Sequence, residues 1–288
     1  MLVVEAETLT PLIIQESGQP SFSKRVNGDP VNGWDFFSMA PPVEEHRPEE
    51  RLYALPSKSL RGMLRHVYAI ASDSKSESAN LGQLNPTDSL FGWVGKGQNQ
   101  ALMSRLSIGF GFFDAPELAW FKAPYPYGNW KFQNGTWVEA PGSGAQKHRI
   151  DQTWRVFPNV PLAPIVKQLD DFQPDTARAN YFRAALPGSK ARFSIRFWNL
   201  TDEELQRLIW CVTLEENMAH KMGGNRYLGF GSLRLRILPE SHFIDWAARY
   251  GGKSKGEWQV PINVEEWQPS KPVFHHRALQ QALNAEQI

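Results

Sequence analysis

Gly223-Gly224-Asn225-Arg226-Tyr227-Leu228-Gly229-Phe230-Gly231 is the stretch on which the fold and the function turn. Its glycines permit positive φ and leave amide N–H groups free to face an anion. Lys221, Asn225, Arg226 and Tyr227 add charge and a ring. The pattern follows a helical periodicity instead of opening one, so it is not a dinucleotide fingerprint. No Gly-Lys-Ser/Thr follows, so it is not a Walker loop. A glycine helix cap explains Gly223 and leaves Gly224, Gly229 and Gly231 without a role.

The flanks of this loop supply the fold. Upstream, Phe193, Ile195 and Phe197 alternate with Arg192, Ser194 and Arg196, which predicts a strand over 191–198. Thr201 and Glu204 then form a capping box, and Leu205, Leu208, Ile209 and Val212 mark the buried face of a helix that the glycine loop ends. Downstream, Leu233, Leu235 and Ile237 alternate with Arg234 and Arg236 as a closing strand. The first third repeats the plan. Residues 1–14 read as a strand, and Pro56-Ser57 opens a helix with Leu60, Met63, Leu64, Val67, Ile70 and Ala71 inward. Residues 104–113 read as a strand with Leu106, Ile108, Phe110 and Phe112 on one face and Gly109 and Gly111 on the other. Two βαβ halves of this kind predict an α+β fold with a ferredoxin-like (RRM-like) βαββαβ core. The core domain covers 1–238, with insertions at about 15–54, 72–103 and 115–185 read mainly as irregular loops. A Trp/Pro-rich extension covers 239–288, with a glycine-rich hinge at 251–256 and a polar last helix around 278–286.

Composition narrows the classes. Net charge is only +1, so any nucleic-acid site comes from local clustering. A single cysteine, Cys211, leaves neither a disulfide framework nor a Cys-rich zinc site, and burial in a helix is its expected place. No apolar run approaches the ~20 residues of a membrane helix, and the N-terminus lacks a basic leader. A cytoplasmic protein is expected.

Basic residues cluster on the first helix. At 100° per residue, Lys58, Arg61 and Arg65 fall within about 60°, with Gly62 beside them. A mid-helix glycine costs roughly 1 kcal/mol against alanine, and close approach of a phosphate backbone is a reason to keep it. Ser57 and Ser59 sit at the helix N-terminus, which favours anions. The alternative is a solvated basic face. Arg192, Arg196, Arg234 and Arg236 form a second basic set, either a ligand surface or a salt-bridged one. His148-Arg149 lies in a loop suited to phosphate, and His220 is expected as a cation at a helix C-terminus. Asp29 and Asp35 in the early loop are either turn formers or catalytic groups. No HExxH or paired His/carboxylate spacing occurs.

The run Ala54-Leu-Pro-Ser-Lys-Ser-Leu-Arg-Gly-Met-Leu-Arg65 resembles the P-G-S-S-L-K-G-x-x-R helix start of the RAMP superfamily of CRISPR effector subunits. Leu90-Phe91-Gly92 before Phe113-Asp114-Ala115 is similar to its F-G and D-A pair. His148-Arg149-Ile150-Asp151 resembles its N-x-I-D-R loop, and Leu186-Pro187-Gly188-Ser189-Lys190-Ala191-Arg192-Phe193 resembles its V-P-x-G-T-x-F strand entry. The closing loop matches G-G-x-x-x-x-G-x-G. Gln152-Thr153-Trp154 departs from the family, which tends to have Arg-x-Thr-Gly there.

The resemblance implies an RRM-like fold that holds crRNA, the guide of an antiviral CRISPR ribonucleoprotein. It is strongest to the repeated backbone subunits of type III effectors. The implied partners are the crRNA, the target RNA and other effector subunits, including the large polymerase-like one, with no membrane. The implied RNA-binding residues are Ser57, Lys58, Ser59, Arg61, Gly62, Arg65, His148, Arg149, Lys221, Gly223, Gly224, Asn225, Arg226, Tyr227, Gly229 and Gly231. Those relatives cut paired target RNA with an aspartate before the first helix. Asp35, then Asp29, is the implied counterpart, Mg is the implied metal, and no structural zinc is expected. Two other roles remain open: a guide-processing, metal-independent endoribonuclease of the same superfamily with a histidine as general acid/base, and a non-catalytic subunit that caps a filament.

Overall fold

A computed structural model describes residues 1–16, 19–39, 51–96, 100–124, 130–267 and 273–288. The parts of the long inserted segments at 40–50, 97–99 and 125–129, and of the tail at 268–272, lie outside the described residues. The fold is α+β. Its core elements are β1 (Leu2–Thr8), α1 (Ser57–Ala71), β2 (Leu106–Ile108), β3 (Gly111–Phe113), β4 (Lys190–Phe197), α2 (Asp202–Thr213) and β5 (Ser232–Ile237). β1 is central. It pairs antiparallel with β4 through Val4↔Phe193 and with β5 through Ala6↔Leu235. β4 in turn pairs with β2 and β3. The order β5–β1–β4–β2/β3, with a helix in each half, is that of a ferredoxin-like sheet.

The period-two pattern of β1 explains why it holds the centre. Leu2, Val4, Ala6 and Thr8 are buried, while Val3, Glu5 and Glu7 face outward and stay partly exposed. α1 buries Leu60, Met63, Leu64, Val67, Tyr68, Ile70 and Ala71 against the sheet. α2 carries the expected capping box: the Thr201 hydroxyl accepts from the Glu204 amide, and the Glu204 carboxylate accepts from the Thr201 amide. Cys211 is buried on its inner face, and burial pushes the thiol pKa well up.

Four local expectations differ from the structure. The strand expected over 104–113 breaks at Gly109-Phe110. Beyond the break the faces exchange: Gly111 packs beneath Leu55, while Phe110 and Phe112 turn out to solvent. α2 ends at Thr213, well before the glycine loop. Glu215 and Glu216 follow, acidic residues that a helix C-terminus disfavours. The chain then forms a short strand, His220–Lys221, paired with β5, so the glycine loop joins two strands instead of a helix and a strand. His220 is correspondingly no helix-end cation. Its ring is buried against the Val212 carbonyl at 3.0 Å, and burial lowers its pKa to about 4.

The third difference is larger. Within 15–54 and 115–185, strands form and meet in a second, five-stranded sheet. Its order is Lys167–Leu169, Leu118–Pro124, Ala179–Ala185, Asp29–Trp34, Phe22–Val26. The pair Tyr181↔Gly33 and Phe182↔Trp34 runs parallel. Phe121 and Phe182 face one side of this layer, and Trp120, Phe172 and Tyr181 form a cluster of their own. Aromatic and β-branched residues without helical period supply the burial that these strands need.

The fourth concerns the tail. Gly251-Gly252 closes a helical turn, Trp246–Tyr250, and Ser254 with Glu257 forms a capping box, so 251–256 is not an open hinge. The last helix is His276–Leu283 and is amphipathic, with Leu279, Ala282 and Leu283 in the main core. No helix among the described residues is long and apolar enough to cross a membrane.

Candidate nucleic-acid interface

The glycine loop owes its shape to contacts on both sides. The Gly224 amide donates to the Ile13 carbonyl at 3.0 Å, and the Gly231 amide donates to the Pro11 carbonyl at 2.9 Å. Phe230 enters the second sheet, edge-on to Phe121 and Phe182 at 5.4 and 5.5 Å between ring centres. Gly223, Gly229 and Gly231 all have positive φ, and a Cβ on any of them would meet a backbone oxygen: Ile13 at 2.2 Å, Pro161 at 2.3 Å and Met222 at 1.8 Å. These three glycines are required by the packing of the loop itself. Gly224 is different. Its missing Cβ would meet only Ile13 side-chain atoms, at 3.6 Å or more, and the residue is exposed.

Gly224 opens onto a cavity of about 560 Å³ that lies between the glycine loop, α1, the segment 155–157 and the last helix. Lys58, Gly62 and His66 come to it from one face of α1, about one helical turn apart, with Ser59 beside Lys58. A Cβ on Gly62 would meet nothing within 4 Å. Asn225 and Arg226 come from the loop and Lys221 from the short strand before it, while Arg155 and Phe157 come from the strand after the Asp151-Gln152 turn and its exit. Among the described residues no carboxylate lines the cavity.

The cations of this site have no counter-ions among the described residues. Lys221 is buried, and its ammonium donates only to Ser232 Oγ at 2.9 Å and the Gly229 carbonyl at 3.4 Å. Burial first, then the nearby Arg226 charge, lowers its pKa to about 7. Arg226 lies over the Phe157 ring at 4.7 Å, with Lys147 over the same ring at 5.0 Å. Desolvation lowers the Arg226 pKa too. Partial desolvation and the Arg226 charge hold the His66 imidazole below its ordinary pKa, although an Arg155 backbone bond pulls the other way. Positive charges held together without acids create a local field that attracts anions.

The other expected site residues fall elsewhere. Ser57 Oγ donates to the Ile108 carbonyl at 2.5 Å and ties α1 to β2. Arg61 donates to the Phe91 carbonyl and to Ser104 Oγ, and Arg65 pairs with the buried Asp88 carboxylate at 2.6 Å. Both arginines hold the helix Pro86–Phe91 and its exit, on the flank of α1 away from the cavity. His148 lines a smaller neighbouring cavity with Phe132 and Asn159, and desolvation lowers its pKa. Arg149 is exposed opposite Arg155 in the same hairpin. Tyr227 packs near Phe157 at 6.4 Å and donates to Asn225 Oδ1 at 3.3 Å.

Neither aspartate lies at the cavity. Asp35 is buried; it accepts from Arg51 at 2.8 Å, from Arg183 at 3.2 Å and from the Phe36 amide at 2.7 Å. With two guanidinium groups on its oxygens, it does not fit a magnesium ligand. Asp29 is exposed at the Asn27-Gly28 hairpin, across from Val26. Among the described residues the one cluster with metal-ligand chemistry is Asp73, Asp151 and His275, and the Lys75 ammonium already contacts both of its carboxylates.

No family model matches the chain, and no curated protein matches it. Among solved structures, a chain of a Type IV-B CRISPR Complex aligns with it. The alignment covers 86% of this chain and 97% of that one, at 12% identity and a TM-score of 0.39. At that identity and score the similarity assigns neither activity nor partner.

Sequence reasoning missed Arg155, Phe157 and His66. His66 had a readable signal, since it lies four residues after Gly62 and eight after Lys58 on one helical face. Arg155 and Phe157 had none, because only the tertiary fold brings their strand to the loop.

Proposed function

We propose that this chain grips the backbone of a crRNA as a subunit of a type III CRISPR ribonucleoprotein effector. The observation that carries the RNA-binding reading is the cavity where Lys58, Arg155, Lys221 and Arg226 converge with no carboxylate among the described residues. The ordered motif series supports the CRISPR assignment, and two of its members, the α1 start and the glycine loop, line this cavity. Other effector subunits and the paired target RNA are the partners of this reading. Asp35 has no catalytic part in it, because its carboxylate is taken up by Arg51 and Arg183.

The test is equilibrium binding of single-stranded, guide-length RNA at a series of KCl concentrations. Lys58→Ala combined with Arg155→Ala should weaken binding and lower the salt slope by about 1.4, near 0.7 per lost phosphate contact on a single strand. Unchanged affinity and slope would place the RNA elsewhere.

A further inference from the structure

The C-terminal extension carries aromatic side chains that take no part in the cavity. Trp246 and Tyr250 lie one turn apart on the short helix Trp246–Tyr250, and they are 53% and 83% exposed. Their rings stack at 5.8 Å between centres and 26° between planes. The Arg249 guanidinium lies over the Trp246 ring at 5.1 Å and over the Trp258 ring at 5.0 Å. Four planar groups thus form one connected set, and Tyr250 is the most open of the three rings. The set is held in place. Ala248 is buried beneath it, Asp245 caps the helix through the Ala248 amide at 2.9 Å, and the Asp245 amide donates to the Trp258 carbonyl at 2.8 Å. A ligand that stacks here does not have to order the rings first.

The charge of this stretch decides what it fits. Arg249, Lys253 and Lys255 are exposed. The two carboxylates of the stretch are engaged locally: Asp245 holds the Ala248 amide, and Glu257 accepts from the Ser254 amide at 3.0 Å and its hydroxyl at 2.7 Å. Trp, Tyr and Arg also mark protein interfaces, but those are centred on well-packed, desolvated pockets. The exposed neighbours here are Ala247, Lys253, Ser254 and Lys255. Open ring faces beside cations are what single-stranded nucleic acid uses. The place in the fold is also distinct. β5 starts at Ser232, which pairs with Lys221 at the cavity, and leads on to His242, whose amide donates to the Met1 carbonyl at the other end of β1. The rings therefore lie beyond the far end of the six-residue β5, roughly 20 Å along the strand from the cavity.

We propose that Trp246, Arg249 and Tyr250 form a stacking platform for a base of the bound RNA, separate from the cavity that grips its backbone. The base lies on the open face of Tyr250, and the exposed cations of the stretch face the phosphates beside it. Stacking needs only a π-face, so the platform takes any base and does not read sequence. This rests on the chain binding single-stranded RNA, and it adds a second anchoring point at the opposite end of β1 and β5.

The experiment measures binding of the full chain to two guide-length oligomers, oligouridine and abasic ribose-phosphate. Wild type should bind oligouridine about tenfold tighter than the abasic strand. Trp246→Ala with Tyr250→Ile removes both exposed rings. It should bring oligouridine down to the abasic value and leave abasic binding and its salt slope unchanged. Trp246→Phe with Tyr250→Phe keeps two rings and should keep the preference. Equal wild-type binding of the two oligomers, or a uridine preference that survives loss of both rings, overturns the platform and leaves the backbone grip standing. A wild-type dimer in sedimentation without RNA, dissolved by Trp246→Ala with Tyr250→Ile, also overturns it, because the rings would then face a second copy of the chain. Failure of wild type to bind either oligomer overturns both readings.

Discussion

Two basic surfaces of the molecule differ in what stands beside their charges. On the outer face of the main sheet, β1 runs between β4 and β5 and sets Glu5 and Glu7 among their basic residues. Lys190 and Arg192 lie 3.6 and 3.8 Å from Glu5, Arg236 lies 3.5 Å from Glu7, and Arg234 donates to the Glu216 carbonyl. In the cavity, Lys58, Arg155, Lys221 and Arg226 have no acidic neighbour among the described residues. The first surface is a half-exposed salt-bridge network of modest energetic worth. The second concentrates uncompensated charge, and Lys221 keeps it partly out of water. What separates them is the neighbouring strand, not the number of cations.

The largest effect should come from forcing the glycine loop off its path. Gly231→Ala puts a Cβ 1.8 Å from the Met222 carbonyl oxygen at a φ of +81°, and it should cost roughly 3 kcal/mol or more. Thermal unfolding checks this; an unchanged Tm would mean the loop does not need its observed path. Next, Lys221→Met with Arg226→Ala should weaken RNA binding about a hundredfold at low salt, at ~1.5 kcal/mol per charged contact. Arg192→Ala with Arg236→Ala should change it by less than about twofold. Equal losses from the two pairs would erase the contrast between the surfaces.

A smaller effect should follow pH. The lowered pKa of Lys221 leaves it charged below about 7 and neutral above. RNA affinity should therefore fall several-fold as pH rises from 6 to 8.5, and Lys221→Met should flatten that window. The same shift makes stability rise between pH 7 and 10, because the unfolded chain still holds the lysine proton there. Smallest, Gly62→Ala should stabilise the fold by about 1 kcal/mol and still weaken RNA binding, since its methyl enters the mouth of the cavity. A variant that gained stability and kept full affinity would deny the mouth to the RNA backbone.

The ferredoxin-like core was legible because its signals are local. The Thr201–Glu204 capping box, the α1 stripe and the alternation in β1, β4 and β5 depend on neighbours within a few residues. The second sheet was not legible. Its parallel pair, Tyr181↔Gly33, joins segments far apart in the chain, and neither shows a strong period alone. Lys58, Gly62 and the glycine loop were found as site candidates from charge and glycine content. Arg61 and Arg65 shared the helical angle of Lys58, but an angle does not say what stands opposite. Asp88 and the Phe91 and Gly92 carbonyls do. Likewise, three of the four loop glycines serve the packing of the loop, and of the four only Gly224 has room for a Cβ.

Ultraviolet crosslinking of the chain to bound guide-length RNA, with the linked peptides sequenced, puts the central claim to the most direct test. Crosslinks at Phe157 and the peptide around Lys221–Arg226, with none on the outer face of β1, β4 and β5, are the predicted result. Crosslinks concentrated at Arg192, Arg196 and Arg236, with the cavity residues unlabelled, would contradict it.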